Sequence, residues 1–165
     1  MSSRSMSIDS KAFRTTLGHF ATGIAIAATR DSDGKPVGVT VNSFTSVSLE
    51  PPLILFCLDR AAKSYRDFTT SGCFAVSVLE EGQQHLSRGF ASSPWSLWDH
   101  VEQVVERSGA PIIKNSLAWV DCETEAVHRG GDHDILLGRV VALGHSGTGR
   151  PLLYWRGRYQ RLNGE

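Results

Sequence analysis

The strongest constraint on the fold is a pair of long strand candidates, Ser116–His128 and Ile135–Gly144, joined by Gly130-Gly131-Asp132. Two glycines followed by Asp tolerate turn geometry, so the two strands are expected to run antiparallel as a hairpin. Shorter strand candidates fill most of the remaining chain. Ile24–Arg30 and Val37–Val41 flank the turn cluster Asp31-Ser32-Asp33-Gly34-Lys35-Pro36. Pro52–Leu58 is a continuous apolar run of buried-strand length, Cys73–Leu79 is another, and Pro151–Trp155 and Arg158–Arg161 surround a Gly157 turn. Three helices are predicted. The first is capped by Asp9 or Ser10, carries an apolar face of Phe13, Leu17 and Phe20, and stops at Gly23. The others are Ala62–Thr70, ended by Gly72, and Glu81–Phe90. Ala91–Gly109 reads as irregular or partly helical. Many closely spaced strands with a few short helices predict a mainly β fold, a closed or nearly closed barrel with helical decoration. Regular strand–helix alternation is absent, which argues against a doubly wound Rossmann sheet.

The chain has 165 residues, which fits one domain over residues 8–165 behind a flexible lead-in of residues 1–7. Lys plus Arg equals Asp plus Glu at 17 each, so the basic surplus of a nucleic-acid binder is missing. Three scattered cysteines, Cys57, Cys73 and Cys122, lack metal-ligand spacing and read as reduced, buried structural thiols. No metal site is expected. The first ten residues lack the apolar core of a signal peptide, and no apolar run reaches the roughly 18 residues of a membrane span. A cytoplasmic protein without membrane partners is therefore expected. Hydrolytic motifs, GxSxG and HExxH, are absent, and Glu80-Glu81 reads as a solvated acidic pair.

Four segments can carry chemistry. Gly38–Pro52 (GVTVNSFTSVSLEPP) interleaves Thr40, Asn42, Ser43, Thr45, Ser46 and Ser48 with Val41, Phe44 and Val47. Small hydroxyls and an amide supply donors and acceptors without bulk, as the polar edge and flat face of a flavin ring require; the alternative is a hydroxyl-rich surface strand and loop. Asp59–Ser64 lies between an apolar strand and a predicted helix start, where free N–H groups, Lys63 and Ser64 could meet a phosphate, or Asp59 could simply cap the helix. Neither GxGxxG nor GxxxxGK[ST] is present. In Gly131-Asp132-His133-Asp134, a His between two acids tends to hold its proton, either as a ligand contact at a barrel rim or as a solvated turn residue. In Tyr154–Tyr159, strand alternation would put Tyr154 and Arg156 on one face and Trp155 on the other, for a dinucleotide or as an edge hairpin. Trp95 and Trp98 are expected to pack or cover a groove. Arg14, Arg156 and Arg158 are candidates for an adenine 2′-phosphate.

Taken in order, FRTTLGHFATGIAIAAT, GVTVNSFTSVSLEPPLILFCL, SGCFAVSVL, SLAWVDCETEAVHRGGDHDILLGRV and PLLYWRGRY resemble the short-chain flavin reductases, the reductase components of two-component flavin-dependent monooxygenases. The resemblance runs from Phe13 to Arg161 and includes the Gly131–His133 triplet. It implies the FMN-binding split β-barrel, Greek-key-like in topology. It implies that Thr40, Val41, Asn42, Ser43 and Phe44 line the isoalloxazine, that Ser46, Val47 and Ser48 continue the pocket, and that Ala61, Ala62, Lys63 and Ser64 hold the phosphate end. Arg88 and Phe90 match the family's SxRFA-like stretch, although Gly89 intrudes between them, and Leu97-Trp98 replaces the family's Lys-Phe pair. His133 would contact the nicotinamide, with Tyr154, Trp155, Arg156 and Gly157 bordering the same groove. The implied activity is hydride transfer from NADH or NADPH to FMN or FAD, which needs no protein nucleophile. The implied partners are a flavin-dependent monooxygenase and a second copy of the chain. A split-barrel oxidase of a small substrate and a non-enzymatic flavin carrier are the alternatives.

Overall fold

The computed structural model describes residues 7–163. The expected lead-in lies outside these residues except for Ser7. In chain order the elements are α1 (Ser10–Leu17), β1 (Thr22–Gly23), β2 (Ala25–Arg30), β3 (Pro36–Val41), β4 (Thr45–Leu49), β5 (Pro52–Asp59), α2 (Tyr65–Thr70) and β6 (Cys73–Val78). A 3₁₀ turn at Glu81–Gln83 leads into α3 (Gln84–Ser92), followed by β7 (Gln103–Val105), β8 (Pro111–Ile113), β9 (Ala118–Gly130), β10 (His133–His145), β11 (Leu153–Trp155) and β12 (Arg158–Gln160).

Seven strands form one antiparallel sheet in the order β3-β2-β6-β9-β10-β5-β4. Its two outer strands, β3 and β4, are neighbours in the chain, joined only by Asn42-Ser43-Phe44. The sheet must therefore curl until its edges meet at that link. Ser43 seals the meeting point: its hydroxyl accepts from Cys57 N–H at 2.9 Å and faces the Cys57 carbonyl at 3.3 Å, standing in for a missing strand pair. The long hairpin β9–β10 forms the back of the barrel and turns at Gly131-Asp132, with Gly131 at φ 77°. Register shifts in this hairpin, next to Gly138 and Ala142, bend it. A Cβ on Gly138 would come within 2.5 Å of the Phe74 ring, so glycine is required there.

The barrel interior is filled by Phe56, Phe68, Phe74, Val76 and Leu136, with Phe56 edge-on to Phe68 and Phe74 at 5.7 and 5.0 Å. Strand β2 is buried on both faces. Ala25 and Ala27 join the interior cluster, and Ile26 and Ala28 join an outer cluster with Leu86, Phe90, Trp98 and Leu152. This outer cluster fixes α3 against the barrel wall. Gly89 in α3 has no room for a side chain, because a Cβ there would overlap Leu97.

Several boundaries depart from the sequence expectation. Helix α1 ends at Leu17 with Gly18 as its cap, not at Gly23. Thr22 and Gly23 pair instead with Tyr154 and Leu153, so the chain has to extend there, and Phe20 falls beyond the helix. The predicted Ala62–Thr70 helix is shorter: residues 60–64 form turns and only Tyr65–Thr70 is helical. The small β7–β8 hairpin was not expected; Ile112 buries its side chain against Ala75 and Ala110. Of the three cysteines only Cys122 is fully buried.

Candidate functional site

Val41 and Asn42, where β3 runs into the link, line three cavities at once. The first, about 430 Å³, opens between residues 20–25 and residues 41–45. The second, about 240 Å³, lies between residues 39–43, residues 57–59, Ala62 and His133. The third, about 230 Å³, is closed by Ile24, Ser87, Ala91, Tyr154 and Tyr159 on the other side of Thr40–Asn42. One hydroxyl-rich wall thus faces three hollows whose combined size suits a flat ligand with a tail.

The wall is held from behind. Thr40 Oγ1 donates to the Ser87 carbonyl of α3 at 2.6 Å, and the Ser87 hydroxyl meets the Tyr159 hydroxyl at 2.9 Å. The second cavity is bordered by His133, which opens β10 immediately after the Gly131-Asp132 turn. Its Nδ1 donates to Asp132 Oδ1 at 2.7 Å, and that bond draws the Asp132 carboxyl below its ordinary range. The two flanking acids are not equivalent. Successive strand residues face opposite ways, so Asp134 turns inward, is buried, and accepts from the Tyr65 hydroxyl at 2.5 Å. That bond, aided by burial, pushes the Tyr65 phenol up. Arg60 Nε stands 3.8 Å from the other oxygen of Asp134.

Of the expected site residues, the structure gathers Thr40, Val41, Asn42, Ser43, Phe44, Ala62, His133 and Tyr154 around these cavities. Ser46, Val47 and Ser48 lie on β4 outside them, with Val47 48% exposed. Ala61 and Lys63 are exposed on the turn and Ser64 is buried under it. The helix start expected to offer N–H groups there is occupied: Ala61 N–H donates to Asp59 Oδ1 and Ala62 N–H to the Asp59 carbonyl. Arg88 stacks over the Tyr159 ring at 5.5 Å and does not line the three cavities. Phe90 is 2% exposed and packs on Trp98, because the glycine at position 38 lets the two rings close on β3. The expected alternation of Tyr154 and Arg156 on one face does not hold. Arg156 sits in the two-residue turn at φ 50° and folds back over Trp155, 4.5 Å from the ring centre. Trp155 in turn donates from Nε1 to the His19 carbonyl at 3.1 Å.

Sequence reasoning missed Thr22, Ile24, Ala25, Cys57, Ser87 and Tyr159 as lining residues. Tyr159 was within reach, since a tight hairpin sets it directly opposite Tyr154. The others are small or apolar residues, on strands, beside them or, for Ser87, on α3, with no chemical signature.

The first cavity is suited to a flavin ring. Its walls are small residues, Ala21, Gly23, Ala25 and Ser43 among them, and Thr22 Oγ1 is buried there without a hydrogen-bond partner. Among the described residues no helix is long and apolar enough to cross a membrane.

A curled antiparallel sheet with a polar wall between ligand-sized hollows defines a cofactor-binding split barrel, here of the oxidoreductase class. The model of the flavin reductase-like domain matches residues 17–163. The chain belongs to the flavin reductase-like family. It is 44% identical over 152 residues to the reductase subunit HsaB of a flavin-dependent monooxygenase from Rhodococcus jostii, covering 92% of this chain and 77% of that one. A Rhizobium meliloti relative is 42% identical over 151 residues, or 92% of this chain, but this chain spans only 48% of it. Among solved structures, an NADH:FAD oxidoreductase of Streptomyces globisporus superposes with a TM-score of 0.88 at 37% identity, over 98% of this chain and 99% of that one.

Proposed function

We propose that residues 8–165 act as one domain that transfers hydride from NADH or NADPH to FMN or FAD and delivers the reduced flavin to a partner monooxygenase in the cytoplasm. The observation that carries the assignment of the site is the shared wall: Val41 and Asn42 border both the large first cavity and the cavity that holds His133. When bound, the flavin accepts at N5 the hydride that the nicotinamide releases from C4.

The chain's own part is to bind and orient. Thr22, Asn42 and Ser43 offer hydrogen bonds to the flavin's polar edge. The small residues of β1 and β2 let the ring lie close to backbone, and the Thr40–Ser87–Tyr159 chain keeps the wall still. His133, with Nδ1 committed to Asp132, has Nε2 left for the nicotinamide carboxamide. Such fixed placement accounts for much of the rate enhancement of a hydride transfer. Arg60 and Lys63 are the cations carried by the turn at residues 60–64, the expected phosphate end.

The chain acts as a homodimer. Phe13 and Leu17 on α1, each 55% exposed, and Phe20, 78% exposed, form an apolar stripe beside the first cavity that a second copy would cover.

The test is steady-state loss of NADH absorbance with added FMN or FAD. Turnover with either flavin is expected. A tightly held yellow ligand without turnover would mark a carrier, and turnover only with an added amine would mark an oxidase.

A further inference from the structure

Asp134, Leu136 and Gly138 are the buried, inward-facing positions in the first half of β10, and Asp134 alone among them is charged. It is 6% exposed and lies opposite Leu58 of β5. An apolar side chain would fill such a position at less cost, because a carboxylate has to be taken out of water. What a carboxylate adds is direction: hydrogen bonds fix an orientation, whereas apolar contact does not.

Both partners of Asp134 come from the stretch that follows β5. Oδ2 accepts from the Tyr65 hydroxyl at 2.5 Å. Oδ1 is buried without a hydrogen bond and faces Arg60 Nε at 3.8 Å, an ion pair too long for a hydrogen bond. Arg60 also grips the hairpin from its backbone, where its N–H donates to the Asp132 carbonyl at 3.0 Å. Tyr65 opens α2 and packs on the interior cluster that contains Phe68, so its hydroxyl stands on a fixed base. The turn between the two partners is closed by Ala62 N–H to the Asp59 carbonyl and Tyr65 N–H to the Ala62 carbonyl, each at 3.0 Å.

His133 is the residue between the two anchors. Its predecessor is held through a carbonyl and its successor through a carboxylate. Its own bond to Asp132 is exposed, and an exposed pair contributes little by itself. The tie through Asp134 is buried. It fixes the backbone that carries the imidazole relative to Asp59 and Ala62, which line the second cavity together with His133.

We propose that Asp134 is a positioning residue for His133. Through Tyr65 and Arg60 it latches the end of the β9–β10 hairpin to the turn at residues 60–64, so that the imidazole is aimed into the second cavity before a ligand arrives. Its effect on turnover rests on the reading above in which His133 meets the nicotinamide.

The test uses two variants. Tyr65→Phe removes one hydroxyl and keeps the ring in the core. Asp134→Asn keeps the shape and an acceptor for Tyr65 and removes the charge that faces Arg60. The first measurement needs no cofactor: the NMR signal of the His133 Cε1–H group. In Tyr65→Phe it is expected to move toward the averaged position of an unrestrained histidine, while that of His145, at the far end of β10, stays in place. An unmoved His133 signal would overturn the proposal. The second measurement is KM for NADH, taken in a double-mutant cycle with His133→Ala. Tyr65→Phe is expected to raise KM about three- to tenfold with kcat nearly unchanged, and to have an effect below about twofold once His133 is Ala. Asp134→Asn acts in the same direction by a smaller factor, and it carries both measurements should Tyr65→Phe fail to fold. An equal rise in KM in both backgrounds would overturn the proposal, because general loosening of the fold acts without the imidazole. So would an unchanged KM in a protein whose KM does depend on His133. Failure of the underlying reading looks different: the NMR signal moves, yet His133→Ala leaves KM as it was.

Discussion

His133 Nδ1 lies 2.7 Å from Asp132 Oδ1, so the ring is oriented by the residue that makes the hairpin turn before it. Replacing His133 with Ala removes the nitrogen we propose for the nicotinamide, and KM for NADH is expected to rise roughly tenfold. Asp132→Ala only loosens the ring. Because the pair is exposed, its effect on the same KM is expected to be about threefold or less. Steady-state kinetics on both variants check this, and an Asp132 effect equal to that of His133 would show that the carboxylate itself contacts substrate.

Ser43 replaces a strand pair with one hydroxyl. Ser43→Ala leaves Cys57 N–H without its partner, and stability is expected to fall by about 1–3 kcal/mol. Urea unfolding with an unchanged m-value reads this directly. The same variant is expected to weaken FMN binding, because the link it fastens is the wall we propose for the flavin.

Gly89 and Leu97 fit only as a pair. Gly89→Ala is expected to cost about 1–3 kcal/mol through overpacking, and Leu97→Ala in the same chain to recover part of it. Thermal melts of the two single variants and the double variant measure the coupling. Additive losses would mean the two side chains do not compete for space.

Burial pushes the Cys122 thiol up to about 12 from an ordinary value of 9.0. The unfolded chain releases this proton first, so the group's contribution to stability is complete below about pH 9 and is lost as pH rises toward 12. Cys122→Ala is expected to flatten the alkaline limb of the stability curve. In the folded protein at pH 8, iodoacetamide should reach Cys57 before Cys122.

The apolar stripe on α1 gives a further expectation. The double variant Phe13→Glu with Leu17→Glu should sediment as a monomer where the native chain sediments as a dimer. An unchanged sedimentation coefficient would remove α1 from the interface.

How much of this was legible in the sequence follows from what each segment signals. Turn chemistry located the Gly131 hairpin and the Asp31–Pro36 turn, where Asp31 Oδ1 accepts from both Asp33 and Lys35 N–H. The hydroxyl-rich segment did become the shared wall in its first half, because Thr40–Ser43 ends a strand where the barrel closes. Its second half turned away because Ser46 and Ser48 belong to an edge strand. Periodicity could not place the end of α1, since Phe20 continues a helical pattern that pairing with β11 overrides. Nor could alternation place Arg156, because a tight turn interrupts it. Of the two acids beside His133 in sequence, Asp134 faces inward to Tyr65, because strand alternation in β10 starts at His133.

The clasp between the two ends of the fold has a consequence for synthesis. Thr22 and Gly23 find their strand partners only in Tyr154 and Leu153, and His19 and Gly18 are tied to Trp155 and Arg156. On the ribosome the amino-terminal side of the first cavity emerges first yet cannot be fastened until the last hairpin is made. Most of the barrel can close in the meantime, through hairpins between nearer strands. Ligand binding is therefore expected to switch on late, after the body of the protein has formed, and a nascent chain arrested before β11 would be a barrel with its front wall still open.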